Sequence, residues 1–179
     1  MKSLAIMTLA LLLSNTWNQS MAAEFTDGPV IFGYGKHAPV QQDIKLEKDT
    51  VLKVVFDVAK AGENEEVNRA FNSIARFLNM HVANGIPKKN IHLAIVVHGS
   101  ATNEMLNNKK YIAKYDKKNP NIELISTLLK NNVEFIQCGQ SAAAHKMPNQ
   151  DMIEGVDMAL SAMTAHAILA AKGYSQNPF

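Results

Sequence analysis

The sequence predicts an α/β fold, a three-layer α/β/α sandwich built on a mainly parallel sheet. Short apolar runs alternate with amphipathic helical segments along the chain, which is the order of parallel strands joined by crossover helices. The run Ile91 to Val97 (I-H-L-A-I-V-V) is almost continuously apolar, as is typical of a strand covered on both faces. Glycine, proline and asparagine residues separate these segments and mark their ends.

The first 22 residues are predicted to be an export signal. Lys2 supplies a positive charge, Leu4 to Leu13 form an apolar run, and Ser20 and Ala22 are the small residues of a cleavage site. The apolar run is shorter than the roughly 20 residues that span a bilayer, and no later segment reaches that length. We therefore expect a periplasmic protein without a membrane span. Cleavage after Ala22 leaves 157 residues, enough for one domain.

The first half of this domain predicts two strands and a helix. Val30 to Tyr34 and Val51 to Phe56 have the composition of strands. After a break at Gly62, acidic residues favour the first turn of a helix that Gly85 and Pro87 end. Its apolar residues recur at helical spacing: Val67, Phe71, Ile74, Leu78 and Val82.

The second half repeats the alternation. The polar stretch from Asn107 to Asn119 is either a crossover between elements or a lid. A helix is predicted to begin at Asn119-Pro120 and to end at residues 131–132, before a strand from Val133 to Gln137. A short strand from Val156 to Leu160 then precedes a helix that is capped by Ser161 and ended by Gly173.

Three chemically capable residues follow predicted strands: Asp57, His98 and Cys138. Ligands of open parallel sheets bind beyond the carboxyl ends of the strands, so a site is predicted where these residues meet. Cys138 is the only cysteine of the chain. In an exported protein it cannot form an intrachain disulfide, so it is buried and inert, paired between subunits, or kept reactive.

Cys138 is the predicted nucleophile. Its sulfur is expected near the N-terminus of a short helix, where the helix dipole and the backbone N–H groups of Gly139, Gln140 and Ser141 favour the thiolate. A thiolate held in this way can attack sulfane sulfur or carry a sulfur atom as a persulfide. The alternative is a cysteine that only packs at a strand end, because free cysteines are among the most buried residues.

Two histidines are candidates for assisting this thiol. His98 is predicted to stabilise the Cys138 thiolate or to transfer protons, and Gly99 lets the backbone turn tightly or approach a ligand. His145 lies seven residues after Cys138, at the end of its helix, and is either a surface residue or, by helix geometry, a residue that lines the ligand site. His166 is interpreted as an ordinary histidine on a helix with apolar neighbours.

Other classes of site are less well supported by the sequence. Cys138, His98 and His145 match no metal-binding spacing, so neither a metal nor an organic cofactor is expected. Ser141, followed by Asp157 and His166, has the order of a serine hydrolase, but Cys138 lies closer to the turn where that nucleophile belongs. After cleavage 17 basic residues face 16 acidic ones, which argues against nucleic-acid binding.

Several short motifs together resemble the DsrE/DsrF-like family, in its exported single-domain branch. The resemblance runs from about Lys53 to Phe179, and its motifs are Val96-Val97-His98-Gly99, Asn119-Pro120-Asn121, Cys138-Gly139-Gln140-Ser141, Leu160-Ser161-Ala162-Met163-Thr164-Ala165 and Gly173-Tyr174. It implies a three-layer sandwich over residues 51–179, preceded by an extension at 23–50. It also implies homo- or hetero-oligomers, often trimers or hexamers, and for this single chain a homo-oligomer is expected.

The resemblance further implies a sulfur relay. Cys138 matches the family's sulfur-accepting cysteine, and His98 with Gly99 matches a motif of the exported branch. The implied partners are a sulfur donor or acceptor protein, or a small sulfane-sulfur compound. A non-catalytic small-ligand-binding or assembly module of the same fold, with a structural cysteine, remains the alternative.

Overall fold

The structure is a computed structural model that describes residues 23–63 and 66–177. The predicted export signal lies outside the described residues. The strands are β1 (Leu52–Val58), β2 (Ile91–Val97), β3 (Glu134–Cys138), β4 (Val156–Ala159) and β5 (Ser175–Asn177). The α-helices are α1 (Arg69–Ala83), α2 (Asn108–Tyr115), α3 (Ile122–Lys130), α4 (Gly139–Ala144) and α5 (Ala162–Ala171). Short 3-10 helices cover Lys88–Asn90, Gly99–Met105 and Asn149–Asp151.

The five strands form one sheet in the order β4-β3-β2-β1-β5, and every pair is parallel. Helices cover both of its faces, which confirms the predicted α/β fold. Parallel pairing brings the carboxyl ends of β1, β2 and β3 to one edge of the sheet. Asp57 is on β1, His98 directly follows β2, and Cys138 is the last residue of β3.

The two faces of the sheet are covered unequally. On the first face, α1 and α3 bury Phe71, Ile74, Leu124, Ile125 and Leu128, each with no exposed surface. Each such side chain contributes roughly 1.5–3 kcal/mol by leaving water. On the second face a smaller cluster joins α5 to the central strands, and its buried members are Val55, Ala94, Val96, Ala165 and Leu169. This second face carries the side chains of the candidate site.

The predicted strand at Val30 to Tyr34 was wrong. The segment forms successive bends, with Gly33 at φ 79° and Gly35 at φ 62°, backbone angles that favour glycine. The N–H groups of residues 30 and 31 donate to Oδ1 of Asn79 on α1 instead of to a neighbouring strand. A helix side chain therefore satisfies the backbone that the sequence pattern assigned to a sheet.

Three further elements differ from the sequence expectations. Helix α1 begins at Arg69, after the acidic residues that were expected in its first turn. Asn68 caps it by accepting a hydrogen bond from the Ala70 N–H. The polar stretch after Asn107 contains α2, and the Asn107 side chain caps that helix. The second strand pairing of β1, with β5, was not predicted. Within the described residues no helix is both long and apolar enough to cross a membrane.

Candidate functional site

Cys138 lies where the N-termini of two helices meet. It is the last residue of β3 and the N-cap of α4, and its side chain is only 5 % exposed. The sulfur accepts hydrogen bonds from the backbone N–H and the hydroxyl of Ser141, and from the backbone N–H groups of Ala162 and Gln140. Ala162 is the first residue of α5, so both helices direct donors at one sulfur atom.

These donors decide the charge of the thiol. Burial raises the pKa of Cys138, because it penalises the charged form. The hydrogen bonds from Ser141, Ala162 and Gln140 favour the thiolate and outweigh that penalty, so the pKa lies below its usual value. The arrangement stabilises a nucleophilic form of sulfur in a largely dry environment.

Gly139 permits this close approach of the two helices. A Cβ atom at residue 139 would lie 2.6 Å from the carbonyl oxygen of Ala159 and 3.1 Å from that of Leu160. Gln140 also joins the two chain segments, since its Nε2 donates to the Leu160 oxygen at 3.2 Å. The lack of a side chain at residue 139 therefore lets α4 begin directly against the connection from β4 to α5.

Ser141 connects Cys138 to the turn after β2. The Gly99 N–H donates to Ser141 Oγ at 3.1 Å, and the same hydroxyl donates to the sulfur. Gly99 has φ 56°, and a Cβ there would lie 2.7 Å from the Ala59 carbonyl oxygen. Glycine is thus needed at this turn both for its backbone angle and for the space it leaves.

We expect Ser141→Ala to raise the pKa of Cys138 by about one unit, because a hydrogen bond to a charged group is removed while the backbone donors stay. Ultraviolet absorbance of the thiolate against pH measures this, with Cys138→Ser as the blank. Ser100→Ala is the matched control, since among the described residues Ser100 Oγ is hydrogen-bonded only to the backbone of Ala59 and Ala61. An equal shift in both variants would contradict a specific role for Ser141.

In the described residues the hydrogen-bond partner of the His98 ring is Asp57 and not Cys138. The ring Nε2–H donates to Asp57 Oδ2 at 2.9 Å, and the side chain is 29 % exposed. Val97 of β2 pairs with Gln137 of β3, and His98 and Cys138 are the residues that follow them in the chain. The two residues are therefore neighbours across the sheet. The hydrogen-bonded route between them passes through Gly99 and Ser141.

His166 completes a cluster that the sequence analysis missed. Its Nε2–H donates to Asp57 Oδ1 at 2.7 Å, so the interpretation of His166 as an ordinary helix histidine was wrong. Burial raises the pKa of Asp57. The hydrogen bonds and charges of His98 and His166 lower it by more than burial raises it, so the pKa lies below its usual value. His166 pairs with Asp57 rather than with Asp157, which removes the triad required by the serine hydrolase alternative.

His145 lies in different surroundings. It caps the C-terminal end of α4 and lines a cavity of about 150 Å³ together with Asn103 and Lys110. A larger cavity, of about 390 Å³, opens at the carboxyl end of β1 and is lined by residues 57–62 and the start of α1. Cys138 lines neither cavity. In the described part of the chain, no group of three His, Cys, Asp or Glu residues is arranged to hold a metal ion.

Comparison with protein families tests the resemblance found in the sequence. The family model described as DsrE/DsrF-like matches residues 53–176, which is more than half of the chain. The chain belongs to the DsrE/DsrF-like family. This confirms the resemblance carried by the short motifs, and the match includes Asp57, His98, Cys138 and His166.

Two solved structures are similar to this DsrE/DsrF-like chain. The YchN protein from E. coli is 16 % identical, with a TM-score of 0.52 over 70 % of this chain and 97 % of that one. A protein of unknown function, MTH1491 from Methanobacterium thermoautotrophicum, is 18 % identical, with a TM-score of 0.49 and the same coverage. The likeness to YchN concerns the fold alone. The search of curated protein sequences gave no significant match.

Proposed function

We propose that this DsrE/DsrF-like protein handles sulfane sulfur in the periplasm, binding or relaying it as a persulfide on Cys138. The observation that carries the proposal is the convergence of donors from α4, α5 and the Ser141 hydroxyl on one sulfur atom. Such a site stabilises the thiolate before reaction and the negative charge of the persulfide afterwards. The family, known for sulfur relay proteins, favours the same chemistry.

The proposed step is a transfer of one sulfur atom. The Cys138 thiolate attacks the outer sulfur of a persulfide donor, R–S–SH, and forms a new S–S bond. The donor's S–S bond breaks, and R–S⁻ leaves with the electron pair. The proton stays on the transferred sulfur of Cys138–S–SH, which ionises within the same set of N–H donors. The reverse attack by an acceptor thiolate returns Cys138 to its starting state.

The setting of this chemistry is also part of the proposal. The export signal at residues 1–22 supports periplasmic location, and the partner is a sulfur donor or acceptor protein or a small sulfane-sulfur compound. Exposed apolar side chains on α5 and on the connection before it support a homo-oligomer, because Leu160 is 72 %, Met163 80 % and Ile168 50 % exposed. Large apolar side chains grouped beside a site favour contact with another protein surface.

A second function is favoured by one observation, the burial of Cys138. With 5 % of its surface exposed, the residue resembles a packed cysteine more than a thiol open to large partners. In this alternative the protein is a non-catalytic binding or assembly module of the same fold, and Cys138 is structural. The alternative predicts a thiol that stays unmodified in the folded protein.

Intact mass separates the two functions. Protein purified from the periplasm without reductant is measured before and after polysulfide or thiosulfate, beside Cys138→Ser. We expect a mass gain of one or more sulfur atoms that a reductant removes and that the variant lacks. Because the chain has one cysteine, such a gain assigns the site directly. An unmodified thiol that also resists alkylation in the folded protein would contradict sulfur transfer and support the binding module.

A further inference from the structure

Asp57 joins helix α5, which donates a hydrogen bond to the Cys138 sulfur, to the turn after β2, which donates one to the Ser141 hydroxyl. Asp57 is not itself a hydrogen-bond partner of the sulfur. One carboxylate oxygen accepts from His98 at 2.9 Å and the other accepts from His166 at 2.7 Å. His98 directly precedes Gly99, whose N–H holds the Ser141 hydroxyl. His166 lies about one turn after Ala162 on α5, and the Ala162 N–H donates to the sulfur.

We propose that Asp57 is a positioning residue for Cys138. Its carboxylate holds α5 and the turn at Gly99 in the places from which they donate to the thiolate, one directly and the other through Ser141. This inference rests on the proposed role of Cys138 as a nucleophilic thiolate. It does not depend on which compound supplies the sulfur.

The exposure of the Asp57 ion pairs separates a positioning role from a contribution to the stability of the fold. Asp57 is 32 % exposed, and the two histidines are 29 % and 21 % exposed. Ion pairs with this exposure contribute little to the free energy of unfolding. Hydrogen-bond strength, in contrast, falls steeply when a donor moves or turns away from its acceptor. Loss of the Asp57 bridge is therefore expected to change the charge of the thiol much more than the stability of the fold.

The sheet supplies a matched control in Asp157. Asp57 pairs with Val96, Val96 with Ile136, and Ile136 with Asp157, so the two aspartates lie in one row on the same face. Asp157 is on β4, three strands from Asp57. Asp157→Ala removes the same group from the same face without touching the two histidines of the bridge.

The test is the titration of the Cys138 thiolate by ultraviolet absorbance, with Cys138→Ser as the blank. We expect Asp57→Ala to raise the midpoint by about one pH unit, which is a roughly tenfold loss of thiolate below both midpoints. Asp157→Ala is expected to leave the midpoint unchanged. His166→Leu is expected to raise the midpoint. His166→Gln keeps an N–H donor near the Nε2 position and is expected to have a midpoint close to that of the wild type.

The outcomes separate this inference from the proposed function. A wild-type midpoint at the ordinary cysteine value, together with no gain of sulfur mass, contradicts the proposed function itself. A lowered wild-type midpoint that folded Asp57→Ala leaves unchanged contradicts only the role of Asp57. If Asp57→Ala does not fold, His166→Leu and His166→Gln provide the test. Equal shifts of the titration midpoint in these two variants overturn the inference.

Discussion

Asn79→Ala is expected to lower the free energy of unfolding by about 3 kcal/mol, since buried polar groups left without partners cost roughly 1–3 kcal/mol each. The Asn79 side chain has no exposed surface. Its Oδ1 accepts from the N–H groups of Val30 and Ile31, and its Nδ2 donates to the carbonyl oxygens of Ile31, Tyr34 and Gly35. This one amide therefore makes most of the side-chain hydrogen bonds between the segment before β1 and helix α1, to which Asn72 and Arg76 add one each.

Denaturant unfolding measures the loss, and limited proteolysis shows whether residues 23–50 are released from α1. Asn84→Ala is the control, because Asn84 caps the same helix but its side-chain hydrogen bonds to Gln42 and Met80 are exposed. We expect a loss of about 1 kcal/mol or less there. Equal losses in the two variants, with unchanged proteolysis, would show that Asn79 does not hold this segment.

Gly139→Ala is expected to destabilise the fold by about 2 kcal/mol and to raise the pKa of Cys138, because the new methyl group meets main-chain atoms rather than a flexible side chain. The closest is the Ala159 carbonyl oxygen, 2.6 Å from the Cβ position. To relieve the contact, α4 must move away from the start of α5. The donors of Gln140 and Ala162 then no longer fit the same sulfur.

The control for this prediction is Gly85→Ala. Gly85 has φ 91° and no atom within 4 Å of its Cβ position, so an alanine there strains the backbone without a steric contact. It lies after α1, at the other end of the sheet from Cys138. Both variants should lower the unfolding free energy, but only Gly139→Ala should change the thiolate titration. If folded Gly139→Ala shows the wild-type pKa for Cys138, the close approach at Gly139 is not needed to direct the donors of α4 and α5 at the sulfur.

Local patterns predicted the elements of the core well. The apolar run Ile91–Val97 is β2 with the same bounds, and Ser161 caps α5 by accepting from the Thr164 N–H. These features depend on residues close in sequence, whose spacing determines periodicity and capping. The position of Cys138 between β3 and a short helix was predicted for the same reason.

Long-range partners were not predictable in this way. The bond between His166 and Asp57 joins residues 109 positions apart, and it depends on the parallel register and on where α5 crosses the sheet. The bends at residues 30–34 depend on the amide of Asn79, 48 positions after Ile31. A pattern within a few residues carries no information about either contact, so Val30 to Tyr34 was predicted as a strand.

The sequence by itself determined the family, the parallel α/β core and the candidate nucleophile, because each is expressed in motifs and periodicities of neighbouring residues. Only the tertiary structure decided which groups from distant segments surround Cys138. It directed His98 to Asp57, brought His166 to the same carboxylate and placed the Ala162 N–H beside the sulfur. The physical reason is that hydrogen bonds extend only about 3 Å, and side chains from distant segments reach that distance only when the sheet and its helices have packed.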